Sequence, residues 1–239
     1  MSQIYGKPSR YLILNDLFYF LKEKFIIIIG ILLILILLQY SKLISSITSL
    51  IIFVVILLII KNYIEIKSKI YRKISDKFHH GAEGEHDIYK ELKKLPHDYL
   101  VFRDIKLPNI ECDLDFVVIC PTGVYAVEVK SHKGNIGYDG QQLTRDGKVF
   151  EKDFLKQTIF EAMSLREFIK EKSGKEIFTH AVLVFSSPYA SLRFGFNPIN
   201  NVIVIGRKFL LEYFSKQPPR FNEIEINTLK EILMPLIKG

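Results

Sequence analysis

The stretch CDLDFVVICPTGVYAVEVKS, residues 112–131, decides the fold. Its two long runs are apolar and rich in β-branched residues, and the Pro-Thr-Gly between them favours a turn. The stretch therefore predicts a β-hairpin. Setting Cys120 opposite Gly123 also sets Asp115 opposite Glu128, because facing positions in an antiparallel pair have a constant index sum.

Alternation along the strands separates charged from apolar side chains. One face is predicted to carry Asp113, Asp115, Glu128 and Lys130, and the other Leu114, Phe116, Val118, Tyr125, Val127 and Val129. Facing carboxylates lie about 5 Å apart at Cβ and destabilise a sheet unless a cation or a shared proton intervenes. Hard oxygen ligands in this arrangement suit Mg²⁺ or Mn²⁺. The alternative is that Glu128 and Lys130 form the solvated face of an edge strand, with Asp115 on a loop.

Length and cysteine content set broad limits. A chain of 239 residues is long enough for a buried core, as one domain or as a domain with an appendage. The two cysteines, Cys112 and Cys120, are predicted in one strand about 26 Å apart, so they cannot bridge within it. No disulfide framework is implied, which fits a reducing compartment.

The net charge of +7 is unevenly distributed. Residues 1–80 contain 11 Lys and Arg against 4 Asp and Glu, whereas residues 81–239 contain 22 of each kind. The basic excess therefore belongs to the N-terminal third, where it would meet anionic lipid headgroups. Composition gives no support for a broadly basic nucleic-acid-binding domain.

Two apolar stretches organise residues 1–78 as a predicted membrane anchor. Spans are expected at about residues 25–40 and 43–60, as a transmembrane helical hairpin turning near 39–42. Residues 61–78 follow as a basic juxtamembrane helix. Lysines and arginines flank both outer ends, so the positive-inside rule predicts a multi-pass protein of the cell (inner) membrane with both termini in the cytoplasm. The alternatives are a cleaved signal peptide or a single span preceded by a membrane-buried segment.

Residues 79–239 are predicted to form one α/β domain. Its first helix, Ala82–Leu95, places Glu85 on the apolar stripe of Ile88, Leu92 and Leu95. A carboxylate there loses solvation unless it is paired or coordinates an ion. The alternative is a helix-start acid that complements the helix dipole.

The remaining pattern predicts an α/β sandwich around a mixed central sheet. The predicted elements are strands at 99–107, 180–186 and 201–205, a glycine-containing connection after the hairpin, and helices at 153–172, 207–216 and 222–238. Neither a glycine-rich phosphate loop nor a serine nucleophile motif is present, and the histidines lack zinc-site spacing.

Residues from Gly81 to about Phe168 resemble the nuclease-related domain, NERD, a branch of the PD-(D/E)XK nuclease superfamily. The matching motifs are Gly84-Glu85, LDFVV (114–118), GVYAVEVK (123–130), Gly134 and Gln157. The sequence departs from the family pattern at three places: Phe116 replaces a common histidine, His132 replaces a tryptophan, and the pair Asp153-Phe154 replaces an Asn-Pro pair. None of these departures removes an acid.

The resemblance implies a restriction-endonuclease-like α/β sandwich fold and phosphodiester hydrolysis with a divalent metal. Asp115 and Glu128 would hold Mg²⁺ (or Mn²⁺), and Glu85 would complete or orient the ligand shell. Lys130 would position a water molecule or offset developing negative charge, and Gln157 would contact the phosphate or the water. Gln157 is otherwise a solvated helix residue.

The sequence therefore predicts a membrane-anchored, metal-dependent nuclease that faces the cytoplasm, with nucleic acid, DNA favoured, as its substrate. The lipid bilayer and a second copy of the chain, in a homodimer, are the other expected partners. The alternatives are a catalytically silent nucleic-acid-binding protein and a membrane-tethered interaction or scaffold protein of the same fold.

Overall fold

The computed structural model describes residues 1–40, 46–108 and 113–237. It divides into two compact units, one formed by Arg10–His80 and one by Met1–Ser9 together with Gly81–Gly239. The first nine residues thus fold with the C-terminal part of the chain. Cys112, the start of the second predicted span and part of the predicted turn before it lie outside the described residues.

Two helices, α1 (Arg10–Tyr40) and α2 (Ile47–Leu92), supply the unit Arg10–His80. Their contacts run in opposite chain directions: Ser75 donates to Asp16 Oδ1 at 2.5 Å, and Arg72 Nη2 donates to Glu23 Oε1 at 2.6 Å. The hydrogen bond from Arg72 holds the pKa of Glu23 below its ordinary value. The two helices therefore pack antiparallel.

The close approach of α1 and α2 depends on Gly30. A Cβ atom at this position would lie 2.0 Å from Ile64 Cδ1. Small residues at a helix contact allow the backbones to come together, and a larger residue here would force Ile64 aside.

Among the described residues, one helix, α2, is long and apolar enough to cross a membrane by length and composition. Its apolar window is not buried within the protein. Ile51, Ile52 and Leu58 are each more than half exposed. Contiguous apolar surface of this kind is typical of a membrane or protein contact.

The strands described in residues 1–40, 46–108 and 113–237 form two sheets. In chain order they are β1 (Gln3–Tyr5), β2 (Leu100–Lys106), β3 (Asp113–Cys120), β4 (Gly123–Lys130), β5 (Gly134–Tyr138), β6 (Leu143–Arg145), β7 (Lys148–Val149), β8 (Thr179–Phe185), β9 (Ala190–Leu192) and β10 (Val202–Gly206). The central sheet has the order β1-β2-β3-β4-β8-β10 and the smaller sheet the order β7-β6-β5-β9. The central sheet is mixed, because β2-β3-β4 is antiparallel and the other pairings are parallel.

Helices cover both faces of the central sheet. One face packs against α3 (Phe154–Ser173) and α5 (Glu223–Leu233), and the other against the end of α2 and α4 (Leu210–Ser215). Asp153 caps the start of α3 by accepting the Lys156 N–H, and Gly174 ends it with a left-handed φ of 70°. The fold is thus a mixed α/β structure around a mixed sheet, as predicted.

The predicted hairpin is confirmed by its register, in which Cys120 faces Gly123. The predicted helix at 153–172 and the strands near 99–107, 180–186 and 201–205 are also present. The sequence does not predict β1 or the smaller sheet, which occupies the expected glycine-containing connection. The last helix ends at Leu233, earlier than predicted, because Pro235 cannot continue it and a 3₁₀ turn follows.

One predicted side-chain position is wrong. Leu114 packs in the cluster under α3 and α5, whereas Phe116 and Val118 pack on the opposite face as expected. The ladder is irregular at this point because Asp104, which lies opposite Asp115, has a left-handed φ of 51°. The strict alternation of side chains between the two faces therefore fails at Leu114, the residue before Asp115.

Candidate active site

The hairpin opens where its two acids face each other. The last backbone pair joins Phe116 to Val127, so the next pair would set Asp115 against Glu128. Instead, the N–H of Val129 donates to Asp115 Oδ2 at 2.8 Å. A side-chain carboxylate has replaced a main-chain acceptor, and the two carboxylates are held at the end of the paired region.

Glu128 is the centre of a buried hydrogen-bond network and is 3% exposed. Its Oε1 atom accepts from Lys130 Nζ and, at 2.8 Å, from Gln157 Nε2. The Lys130 ammonium also lies 4.8 Å from the centre of the Phe154 ring, in a cation–π contact. The predicted residues Glu128, Lys130 and Gln157 are therefore brought together.

The network extends to Glu161, which the sequence analysis does not identify. Gln157 Nε2 donates to Glu161 Oε1 at 2.8 Å, and Glu161 is 2% exposed. Burial, reinforced by the charge of Glu128, raises the pKa of Glu161 to about 8. The signal is present in the sequence, because Glu161 lies on the apolar stripe of α3 with Phe154 and Leu165, as Glu85 lies on that of α2.

Glu85 reaches the site from α2, and its predicted apolar stripe of Ile88, Leu92 and Leu95 is buried. Gly84 permits this approach, because a Cβ there would lie 2.6 Å from Ser186 Oγ and 3.0 Å from Ser131 Cβ. The helix thus contacts residues that directly follow β4 and β8.

Charge and burial both act on Glu85. Burial and the neighbouring charge of Asp104 raise the pKa of Glu85 to about 7, while Arg103 opposes the shift. Glu128 contributes in the same direction as Asp104. Glu85 therefore lies close enough to the hairpin acids to interact with them electrostatically.

Asp115 is influenced by the same charges. Burial, followed by the charges of Glu128 and Glu85, raises the pKa of Asp115 well above its ordinary value. Lys130 and the Val129 N–H act in the opposite direction. Asp115, Glu128 and Glu85 thus form one electrostatic cluster.

Arg103 and Asp104 on β2 are two further site residues that the sequence analysis does not identify. The Arg103 guanidinium is buried and lies 4.2 Å from the Tyr89 ring centre. Asp104 lies opposite Asp115, between the pairs formed by Arg103 and Ile105. Its left-handed backbone, uncommon for a residue other than glycine, is not readable from the sequence.

Asp113, which alternation places on the face of Asp115, lies at the outer end of β3, opposite Lys106. His79 bonds to Asp16 in the helical unit. Among the described ranges, no group of three or more His, Cys, Asp or Glu side chains is arranged to hold a metal ion as it stands.

The chemistry of the acidic cluster nevertheless fits a divalent cation. Asp115, Glu128 and Glu85 offer the hard oxygen donors that Mg²⁺ and Mn²⁺ prefer. Burial first, and then the charges of neighbouring acids, raise the pKa values of Asp115 and Glu85, so a cation placed beside them would favour their ionised forms. Since Lys130 and Gln157 both bond to Glu128, a bound cation would compete with them for this carboxylate.

The acids, the lysine and the glutamine all fall within one region of sequence similarity. Residues 80–186 match the family model of NERD, the nuclease-related domain. The resemblance inferred from the sequence motifs is thereby confirmed. No curated protein and no solved structure matches the chain significantly.

The departures from the NERD pattern are accommodated by packing. Phe116 is fully buried, and the Arg103 guanidinium lies 5.6 Å from its ring centre. His132 contacts Phe150 and Phe154, with ring centres 5.1 and 5.4 Å away. His132, Phe150 and Phe154 thus form an aromatic cluster beside Lys130, and His132 and Phe154 are two of the residues that depart from the NERD pattern.

Proposed function

We propose that the NERD region is a metal-dependent nuclease that hydrolyses nucleic-acid phosphodiester bonds, with DNA as the favoured substrate. The observation that carries this proposal is the convergence of Asp115, Glu128 and Glu85 where the hairpin opens, with the Lys130 ammonium bonded to Glu128. A purely structural hairpin gains no stability from mutually repelling acids at this point.

Asp115, Glu128 and Glu85 would hold the cation. When bound, Mg²⁺ would lower the pKa of a water ligand and stabilise charge on the phosphoryl oxygens. The cluster's own charges would provide the attraction for the cation, and Gln157 would fix the orientation of the Glu128 carboxylate through its Nε2 bond. The remaining chemistry rests on Lys130.

Lys130 is held in its charged form. Burial lowers the pKa of Lys130, but the charge of Glu128, its hydrogen bond and the charge of Asp115 outweigh burial, and the net pKa is raised. A permanently protonated ammonium beside the acids can stabilise negative charge that develops on a phosphate in the transition state.

The test is metal-dependent cleavage by the full-length protein in detergent. Asp115→Asn and Glu128→Gln should each reduce Mg²⁺-dependent cleavage of labelled DNA by at least about 100-fold, because each removes a charged ligand while keeping side-chain shape. Glu171→Gln, on the exposed side of α3, is the matched control and should cleave as the wild type does. Wild-type-like cleavage by both site variants would contradict the proposal.

Nucleic-acid binding without turnover is the second candidate. It is favoured by the absence, among the described residues, of a ready group of three metal-binding side chains. In the same assay it predicts DNA binding by the wild type with no cleavage at any Mg²⁺ or Mn²⁺ concentration.

We further propose that α1 and α2 anchor the protein by crossing the membrane twice. Strand β1 pairs with β2, so Met1–Ser9 and Gly81–Gly239 belong to one folded unit. Both ends of Arg10–His80 must then emerge on the same side of a membrane, which requires an even number of crossings. This supports two spans over one, and the basic residues after the second span favour the cytoplasm for both termini.

A further inference from the structure

The loop that follows β8 presents an exposed aromatic side chain. Tyr189 is 78% exposed, more than any other phenylalanine or tyrosine described in residues 81–237. Its main chain is nevertheless fixed: the Gly134 N–H donates to Tyr189 O at 3.0 Å, and the Tyr189 N–H donates to Ser187 Oγ at 3.2 Å. The ring is thus held out to solvent on an ordered backbone.

A lysine occupies the corresponding position before the adjoining strand. Strands β5 and β9 are parallel, with Gly134 paired to Ala190. Lys133 and Tyr189 directly precede these two paired residues, so both lie at the same end of the β5–β9 pair. Lys133 is exposed, so a cation and an aromatic ring are presented together.

The pair lies next to the candidate active site. The Ser186 N–H donates to Lys130 O at 3.0 Å, which joins the ends of β8 and β4. Tyr189 follows Ser186 by three residues, and Lys133 follows Lys130 by three, a reach of at most about 11 Å each. That distance spans a few stacked nucleotides at about 3.4 Å per step.

We propose that Tyr189 and Lys133 bind an unpaired nucleotide of the substrate, with the ring stacked on a base and the ammonium on an adjacent phosphate. This rests on the proposed function of the neighbouring acids. The substrate class is then single-stranded nucleic acid, or a single-stranded segment at the end of a duplex.

Two features favour a single strand over a duplex. An exposed aromatic ring stacks on the face of a base, and in a duplex that face is covered by the next base pair. In addition, residues 81–239 have equal numbers of acidic and basic residues, 22 of each. Phosphate attraction over a broad surface is therefore weak, and stacking has to supply a larger share of the affinity.

Binding of a fluorescent 12-nucleotide single strand tests the proposal without catalysis. The full-length protein in detergent is titrated in EDTA with single-stranded DNA, single-stranded RNA and duplex DNA that carry 2-aminopurine. Tyr189→Ala should weaken single-strand binding by about 5- to 150-fold, the equivalent of the ~1–3 kcal/mol measured per stacked base. It should also abolish the stacking-induced quenching of 2-aminopurine.

Conservative and distant variants act as controls. Tyr189→Phe keeps the ring and should bind within about twofold of the wild type. Phe178→Ala removes another exposed aromatic side chain, 56% exposed, at the opposite end of β8, and should have no effect. Lys133→Ala should reduce the slope of log affinity against log salt by about 0.7 for a single strand.

The outcomes separate this inference from the proposed nuclease activity. Wild-type affinity in Tyr189→Ala, tighter binding of duplex than of single strands, or no single-strand binding by the wild type would each overturn the inference, even if cleavage is observed. Tyr189-dependent binding without any metal-dependent cleavage would support the inference and overturn the proposed hydrolysis.

Discussion

Replacement of Glu161 by Gln should stabilise the protein at alkaline pH. Glu161 is buried on α3, and its pKa is raised to about 8 from the ordinary value of 4.5. Between these two values the native state retains a proton that the unfolded chain releases, so stability falls as the pH rises. Below about pH 4.5 the carboxyl group is neutral in both states and has no such effect.

The size of the effect follows from the pKa shift. At about 1.4 kcal/mol per pKa unit, a shift from 4.5 to about 8 sets an upper limit of about 5 kcal/mol above pH 8. The observed gain should be about 1–3 kcal/mol, because the charge of Glu128 remains and an amide at position 161 makes a weaker bond to Gln157 than a carboxylate does.

Urea unfolding of the full-length protein in EDTA, followed by near-ultraviolet circular dichroism from pH 4 to 9, measures this effect. The difference between Glu161→Gln and wild type should be near zero at pH 4 and should grow through pH 5–8. Glu171→Gln, whose side chain is 60% exposed on the same helix, should show no pH-dependent difference. A constant difference across this range, or destabilisation by Glu161→Gln at pH 9, would refute the reasoning.

Two further predictions concern the N-terminal segment. Deletion of residues 2–9 should lower the free energy of unfolding of the sheet-containing unit by about 2–3 kcal/mol in urea titrations. The deletion removes β1 and the Tyr5 ring, which stacks on Phe102 with ring centres 5.1 Å apart. An unchanged urea midpoint would show that β1 is not paired. The second prediction uses a chain in which the two native cysteines are replaced and a single cysteine is placed at Ser9 or at Lys216. In sealed vesicles, both cysteines should react with a membrane-impermeant maleimide from the same side. Labelling from opposite sides would contradict an even number of membrane crossings.

The hairpin and its register were accessible from the sequence because both depend on local, periodic information. Alternation assigns the faces, and the short turn sets Cys120 against Gly123. The expectation that Asp115 faces Glu128 then follows from the constant index sum of an antiparallel pair. Glu161 was accessible in the same way, since the helical period that places Glu85 on a buried stripe also places Glu161 on one.

Other features depend on contacts that the local sequence does not encode. Strand β1 is three residues long and pairs with β2 across almost a hundred residues, Gln3 with Leu100. Its stability comes from that distant edge and not from its own propensity. The effect of the Asp104 charge on Glu85 likewise arises at a residue with a left-handed backbone, at a break in the β2–β3 ladder that no local sequence pattern encodes.

The acidic cluster is better explained by chemistry than by stability. Helix α3 buries Leu165 and Phe168 on the stripe that also carries Glu161, so apolar residues are readily accommodated there. Replacing buried charged groups with well-packed apolar ones is often neutral or stabilising. Burial and mutual repulsion raise the pKa values of Glu85, Asp115 and Glu161, and each such shift costs stability at neutral pH. A set of acids that opposes folding where the hairpin opens therefore supports the proposed cation site beside Lys130 over a purely structural role for these acids.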